Sequence, residues 1–78
     1  MLLPLTDIQS KTFQAIQVFI HTHNYPPTIP EIQNILNVDN PGQVHKIFSA
    51  LEKKGYIVRE KGKHRGLDLS TEAKERLQ

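Results

Sequence analysis

The strongest constraint on the fold is the spacing of apolar residues between Pro26 and Tyr56. In the second half of this stretch they recur at three- and four-residue intervals, which is typical of a half-buried helix. These residues are Val44, Ile47, Phe48 and Leu51. The opposite face would carry small or basic residues, namely Gly42, Lys46, Ser49 and Lys53. A shorter apolar pattern precedes this helix, and two short helices joined by a tight turn predict a helix-turn-helix.

Two capping boxes mark the starts of the first two helices. Thr6 and Gln9 form one box, and Thr28 and Glu31 form the other. The first helix is expected to end around residues 21–24, before two consecutive prolines that cannot continue it. The inward residues of these two helices are predicted to be Ile8, Thr12, Phe13, Ile16, Phe19, Ile20, Ile32, Ile35 and Leu36.

The third helix has signals at both ends. Asn37 stands where the turn needs a left-handed backbone, which asparagine tolerates best after glycine. Asn40 is expected to cap the third helix, Pro41 to take its first position and Gly55 to follow its lysine-rich end. The helix-turn-helix is therefore predicted over about residues 28–54.

Beyond the third helix the apolar pattern changes to that of short strands. Residues 56–59 and 66–69 predict two strands, and the connection between them, KGKHRG, is strongly basic. A hairpin over about residues 56–69, directly after such a helix, predicts a winged helix-turn-helix whose wing reaches phosphate or a minor groove. An ordinary solubilising loop is the alternative, and the position of the hairpin favours the wing. The predicted fold class is α+β, mostly α, with a three-helix core and a two-stranded wing.

Length and composition restrict the chain to one small domain, residues 1–78. A chain this short removes only about 60% of its unfolded surface from water and cannot support a second core. Residues 71–78 are predicted to form a short closing helix with Ala73 and Leu77 inward, or to begin a linker. The apolar runs are much shorter than the roughly 20 residues of a spanning helix, and no signal peptide is evident. We therefore expect a cytoplasmic protein with no membrane partner.

The charge is divided unevenly along the chain. Residues 1–39 hold one lysine against three acids and sum to −2, whereas residues 40–78 hold nine Lys or Arg against five acids and sum to +4. This asymmetry is typical of a protein that binds a polyanion. Lysines also cover ordinary solvated surfaces, so the charge alone leaves both interpretations open.

The sequence offers no pattern for catalysis, cofactor binding or metal binding. It holds no cysteine, and His21 and His23 are two residues apart at a helix end, where they point in different directions. The serines lie in no nucleophile motif, and no glycine-rich phosphate loop follows a strand. We therefore do not expect an enzyme.

Several spaced motifs are shared with a known family. They are LT-x-x-Q at residues 5–9, PPT-x-x-EI at 26–32, Pro41 in the turn, L-x-x-KG-x-I at 51–57, and the Arg65-Gly66 pair. With these motifs the chain resembles, over about residues 5–69, the N-terminal DNA-binding domain of the LexA repressor of the bacterial SOS response. The resemblance implies a sequence-specific transcription regulator that binds double-stranded DNA.

The resemblance also assigns the base-reading positions to the start of the third helix. The family typically has serine, asparagine, alanine and two acids there, whereas this chain has Asn40, Gly42, Gln43, His45 and Lys46. The usual operator of the family is therefore not assumed. The expected phosphate-binding residues, on the third helix and the wing, are Ser49, Lys53, Lys54, Lys61, Lys63, His64 and Arg65. Thr28, at the start of the second helix, is also expected to contact DNA.

The resemblance ends near Leu69, before the self-cleaving serine-lysine peptidase that also dimerises the typical repressor. We therefore expect no self-cleavage, and we expect two copies to meet on an inverted-repeat operator as a homodimer on DNA. Two other functions remain open: a winged-helix module that binds a repressor or polymerase component, and a sequence-indifferent nucleic-acid binder.

Overall fold

Three helices come first along the chain, followed by a two-stranded sheet and a short fourth helix. The structure is a computed structural model, and it describes residues 2–60 and 66–76. Its elements are α1 (Asp7–His23), α2 (Ile29–Leu36), α3 (Pro41–Lys53), β1 (Ile57–Arg59), β2 (Leu67–Leu69) and α4 (Thr71–Arg76). This order confirms the predicted winged helix-turn-helix, which is α+β and mostly α.

Both predicted capping boxes are present. The Gln9 amide donates to Thr6 Oγ1 at 3.3 Å, and the Thr6 amide donates to Gln9 Oε1 at 3.1 Å. The second box pairs Thr28 and Glu31 in the same way, at 3.4 and 2.8 Å. Each box satisfies amide groups that the first turn of a helix leaves without partners, and a cap of this kind is worth about 1 kcal/mol.

The turn between α2 and α3 depends on Gln33 in α2 and on Asn37, the C-cap of that helix. Asn37 adopts the predicted left-handed backbone, with φ 57°. The side-chain amide of Gln33 donates to the carbonyl of Asp39 at 3.3 Å, and the Gln33 carbonyl accepts from the Val38 amide at 3.0 Å. The path of the turn is therefore fixed by hydrogen bonds from α2 before α3 begins.

The core lies where α1, α2, α3 and the sheet meet. Five of its large aliphatic side chains are only 0 or 1% exposed: Ile16, Ile32, Val44, Leu51 and Ile57. All four apolar residues predicted for the inner face of α3 are buried. Complete burial of an aliphatic side chain contributes roughly 1.5–3 kcal/mol, so these few residues account for much of the drive to fold.

Two of the predicted inward residues are exposed, and that prediction was wrong. Ile8 is 41% exposed and Ile35 is 51% exposed. At about 100° per residue, each side chain points to the edge of the buried face of its helix rather than to its centre. Within residues 2–60 and 66–76, neighbouring elements leave these edges exposed.

The sheet places one face against the core. Ile57 pairs with Leu69 and Arg59 with Leu67 in antiparallel register. Ile57 and Leu67 are buried, whereas Val58, between the two pairs on β1, is exposed. Arg59 therefore leaves the strand on the same face as the core residues, which directs it toward α3.

The fourth helix closes the domain behind the sheet. Ser70 Oγ donates to the Gly55 carbonyl at 2.6 Å and accepts from the Ala73 amide at 3.0 Å. Ala73 is buried as predicted, while Leu77 lies outside the described residues. No helix in residues 2–60 and 66–76 combines the length and the apolar character that crossing a membrane requires.

Candidate DNA-binding surface

The side of α3 that does not enter the core gathers most of the predicted site residues. Those exposed on it, or on its cap, are Asn40, Gly42, Gln43, His45, Lys46 and Lys53. Ser49 lies on the same side and is half-buried. A helix that presents polar and basic side chains on a protruding face can enter the major groove of DNA.

The start of α3 is held by a local cap. Asn40 Oδ1 accepts from the Gly42 amide at 2.8 Å, which leaves the Asn40 side-chain NH₂ free to donate elsewhere. A Cβ added at Gly42 would lie 3.1 Å from this same Oδ1. Gly42 therefore serves the cap as well as leaving room for a close approach to the groove.

Thr28 belongs to the start of α2 and takes part in its capping box. Its hydroxyl donates to Glu31 Oε1 at 3.0 Å and accepts from the Glu31 amide. The residue is half-buried. Any contact of Thr28 with a phosphate would compete with the cap that starts α2.

The end of α3 is tied to the first residues of the chain. Lys54 Nζ donates to Gln9 Oε1 at 2.6 Å, and the Lys54 carbonyl accepts from the Leu3 amide at 3.2 Å. Tyr56 donates its hydroxyl to the Leu3 carbonyl at 2.6 Å, and its ring packs edge-on against Phe13 with centroids 5.0 Å apart. We call this cluster the arm clamp: Leu3, Gln9, Lys54 and Tyr56.

The two neighbouring lysines at this end therefore differ. Lys53 is exposed, whereas Lys54 is half-buried with its ammonium on Gln9. An ammonium has three donors, so Lys54 keeps two for another acceptor. The capping box predicted Gln9 at the start of α1, but its contact with Lys54, 45 residues away, has no sequence signal.

Arg59 on β1 reaches the outer side of α3. Its Nη2 donates to Ser49 Oγ at 3.4 Å, and its Nε lies 3.5 Å from Glu52 Oε1. The sequence predicts no role for Arg59, because nothing in a three-residue strand indicates which helix its arginine will contact. The four predicted residues of the wing tip, Lys61, Lys63, His64 and Arg65, lie outside the described residues.

The histidines of α1 lie away from this surface. His23 stacks on Phe19 with ring centroids 4.1 Å apart, and its Nδ1 lies 3.1 Å from the Phe19 carbonyl. His21 is exposed. The part of the chain that the structure describes holds no group of three or more His, Cys, Asp or Glu side chains placed to bind a metal ion.

Comparison with known proteins identifies the family. Residues 2–66 match the family model described as the LexA DNA binding domain. The chain belongs to this family. The LexA resemblance predicted from the spaced motifs is thereby confirmed.

The LexA relatives extend well beyond the matched domain. The chain is 41% identical over 66 residues to LexA repressor 2 of Geobacter sulfurreducens, covering 85% of this chain and 32% of the relative. It is 40% identical over 73 residues to the LexA repressor of Anaeromyxobacter dehalogenans, covering 94% and 32%. The chain thus spans about a third of the length of the curated relatives it matches.

Proposed function

We propose that this chain acts as the DNA-binding part of a transcriptional repressor and reads a specific double-stranded site with α3. The observation that carries the proposal is the exposed face at the start of α3, where Gln43, His45 and Lys46 project from a helix whose other side is buried. The LexA family model over residues 2–66 supports it, and so do relatives that are named repressors.

Two residues of this face suit particular base edges. Gln43 in the first turn can bind adenine N6 and N7 in bidentate fashion, and Lys46 suits guanine O6 and N7. His45 is the third candidate for a base contact. An adenine and a guanine are therefore expected close together in each half-site.

Phosphate contacts would surround this base-reading face. Ser49, Lys53 and Lys54 follow it along α3, and the basic wing tip is proposed to supply Lys61, Lys63, His64 and Arg65. Each neutralised phosphate contributes a slope of about −0.9 to the dependence of log affinity on log salt, so we expect roughly −3 to −5 overall. Such contacts fix the position of the protein and carry no base information.

One copy presents one α3 and one wing, which would cover a single half-site. We propose that two copies assemble on an inverted repeat, since pairing of half-sites raises affinity without new base contacts. Sedimentation analysis with a palindromic duplex at saturation should give two proteins per duplex. One protein per duplex would contradict this arrangement.

The experiment that tests the function is selection of bound duplexes from a random pool, followed by titration at two salt concentrations. We expect a recurring sequence, tighter binding to it than to a scrambled duplex, and a steep salt slope. Equal binding to both duplexes would identify a sequence-indifferent binder. A salt slope near zero would refute the DNA-binding proposal and favour a protein-interaction module.

A further inference from the structure

Arg59 connects the wing to the outer side of α3. It leaves β1 opposite Leu67, and its guanidinium contacts both Ser49 Oγ, at 3.4 Å, and Glu52 Oε1, at 3.5 Å. Ser49 and Glu52 are three residues apart and therefore neighbours on the helix surface. A planar guanidinium with several fixed donors can hold two such acceptors at once, which a lysine ammonium does less well.

A cleft of about 450 Å³ lies between the start of α2, α3 and the wing, and Arg59 and Glu52 line it together with Thr28 and Phe48. β1 contacts α3 directly, and Ile57 and Leu67 of the sheet are buried in the core. The contacts of Arg59 with Ser49 and Glu52, called the Arg59 bridge, add to this packing on the outer side of α3.

The bridge also leaves the Ser49 hydroxyl with a proton to donate. Ser49 Oγ accepts from Arg59, and within residues 2–60 and 66–76 no acceptor is found for its own hydrogen. Thr12 behaves differently, because its hydroxyl donates to the Ile8 carbonyl one turn earlier at 2.7 Å. An acceptor outside these residues, such as a water molecule or a phosphate oxygen, can therefore take the Ser49 proton.

The bridge also affects the negative charge of Glu52. Its side chain is 42% exposed and lies next to Lys53 in the sequence, beside the part of α3 proposed to meet phosphates. An acid there would repel the DNA backbone. Arg59 at 3.5 Å offsets this charge.

We propose that Arg59 is a positioning residue for DNA binding: it orients the Ser49 hydroxyl toward a phosphate and offsets the charge of Glu52. The inference rests on the proposed function and adds to it a role for a residue outside the helix-turn-helix. Arg59 acts here through Ser49 and Glu52, without touching a base.

The test is a double-mutant cycle on the selected duplex with Ser49→Ala and Arg59→Gln. In the wild-type background Ser49→Ala should weaken binding about fivefold, the loss expected for one hydrogen bond. In the Arg59→Gln background it should weaken binding less than about twofold, because the hydroxyl is no longer held. Equal losses in the two backgrounds would overturn the proposal.

The salt slope provides a readout that a purely structural role would not change. Arg59→Gln leaves Glu52 unpaired, so the slope should become shallower by up to about 0.9. Adding Glu52→Gln should restore it. A slope that stays shallow in the double variant would show that Arg59 binds phosphate itself and would also overturn the proposal.

Controls separate folding from binding. Lys74→Gln breaks a comparable exposed ion pair, Lys74 Nζ to Asp68 Oδ2 at 3.2 Å, away from α3, and should change affinity less than about twofold. Thermal melting is followed for every variant. If Arg59→Gln does not fold, Arg59→Lys replaces it. The salt slope of Arg59→Lys should equal that of the wild type, because the charge is kept. In this background Ser49→Ala should still weaken binding by only about twofold or less.

The outcomes distinguish this inference from the proposed function. If the wild type binds the selected duplex no better than a scrambled one, the proposed function is refuted and the inference with it. If the wild type discriminates but the Ser49 loss is independent of Arg59, only the inference is refuted.

Discussion

The two ends of α3 are held in different ways. At its start, the cap that Asn40 makes with Gly42 is local, and Gln43 is exposed. At its end, Lys54 and Tyr56 bind residues 45 and 53 positions away. The contacts at the end of α3 join distant parts of the chain, whereas the exposed side chains at its start can change without disturbing those contacts. This agrees with a chain that keeps the LexA scaffold and departs from its usual base-reading residues.

The largest expected effect is at the start of α3. Gly42→Glu should weaken DNA binding by more than about 100-fold, because a carboxylate would face the phosphates and its bulk would hold the helix away from the groove. The free energy of unfolding should fall by no more than about 1 kcal/mol, through crowding of the Asn40 cap. Titration and thermal melting measure both.

Gly42→Ala is the matched control for this variant. It crowds Asn40 Oδ1 in the same way but adds no charge. If Gly42→Ala weakens binding as much as Gly42→Glu does, damage to the Asn40 cap explains the loss of affinity. Side chains at the start of α3 could then not change without disturbing the local structure.

Gln43→Ala tests whether the start of α3 contacts a specific base. It should cost about 1–3 kcal/mol on the preferred site and much less on a site changed at the matching base pair. Melting should stay unchanged, since Gln43 is exposed. An equal loss on both sites would show that Gln43 does not read that base.

Lys53 and Lys54 lie side by side at the end of α3, so the effects of replacing each can be compared directly. Lys53→Ala and Lys54→Ala should each make the salt slope shallower by about 0.9, on all duplexes alike. Only Lys54→Ala should lower the melting temperature, because only Lys54 takes part in the arm clamp. Unchanged melting for Lys54→Ala would mean that its bond to Gln9 does not stabilise the domain.

The smallest expected effect is at the arm clamp itself. Tyr56→Phe removes the bond to the Leu3 carbonyl and keeps the ring against Phe13. Since the bond is exposed, its loss should cost about 0.5–1 kcal/mol of stability, or roughly 2–8 °C in melting temperature. DNA affinity of the folded protein should stay within about twofold. A large loss of affinity without a change in melting would contradict the division of roles.

Much of the fold could be predicted because its signals are local. The capping boxes at Thr6 and Thr28, the left-handed Asn37 and the Asn40 cap each involve residues at most three positions apart. The buried stripe of α3 follows from helical spacing alone. Local rules of this kind need no knowledge of which elements later pack together.

The rest depends on contacts between distant residues. Helical spacing predicted that Ile35 lies on the core-facing side of α2, but Ile35 is exposed. The width of the buried face depends on how α1 and α3 pack against α2, which spacing alone does not give. The contacts of Lys54 with Gln9 and of Arg59 with Ser49 depend on the final positions of separate elements. At the candidate site, the sequence therefore indicated which residues are exposed on α3. It did not indicate which side chains from other elements form hydrogen bonds with that helix.

The arm clamp has a further consequence for the order of folding. A bond between Tyr56 and Leu3 can form only after the intervening chain has been arranged, because closing so long a loop costs entropy before the contact stabilises it. Such a contact is absent from an early transition state, and weakening it mainly accelerates unfolding. Tyr56→Phe should thus raise the unfolding rate in stopped-flow measurements and leave the refolding rate almost unchanged. A contact that forms late in folding thus affects how long the folded domain persists more than how fast it forms.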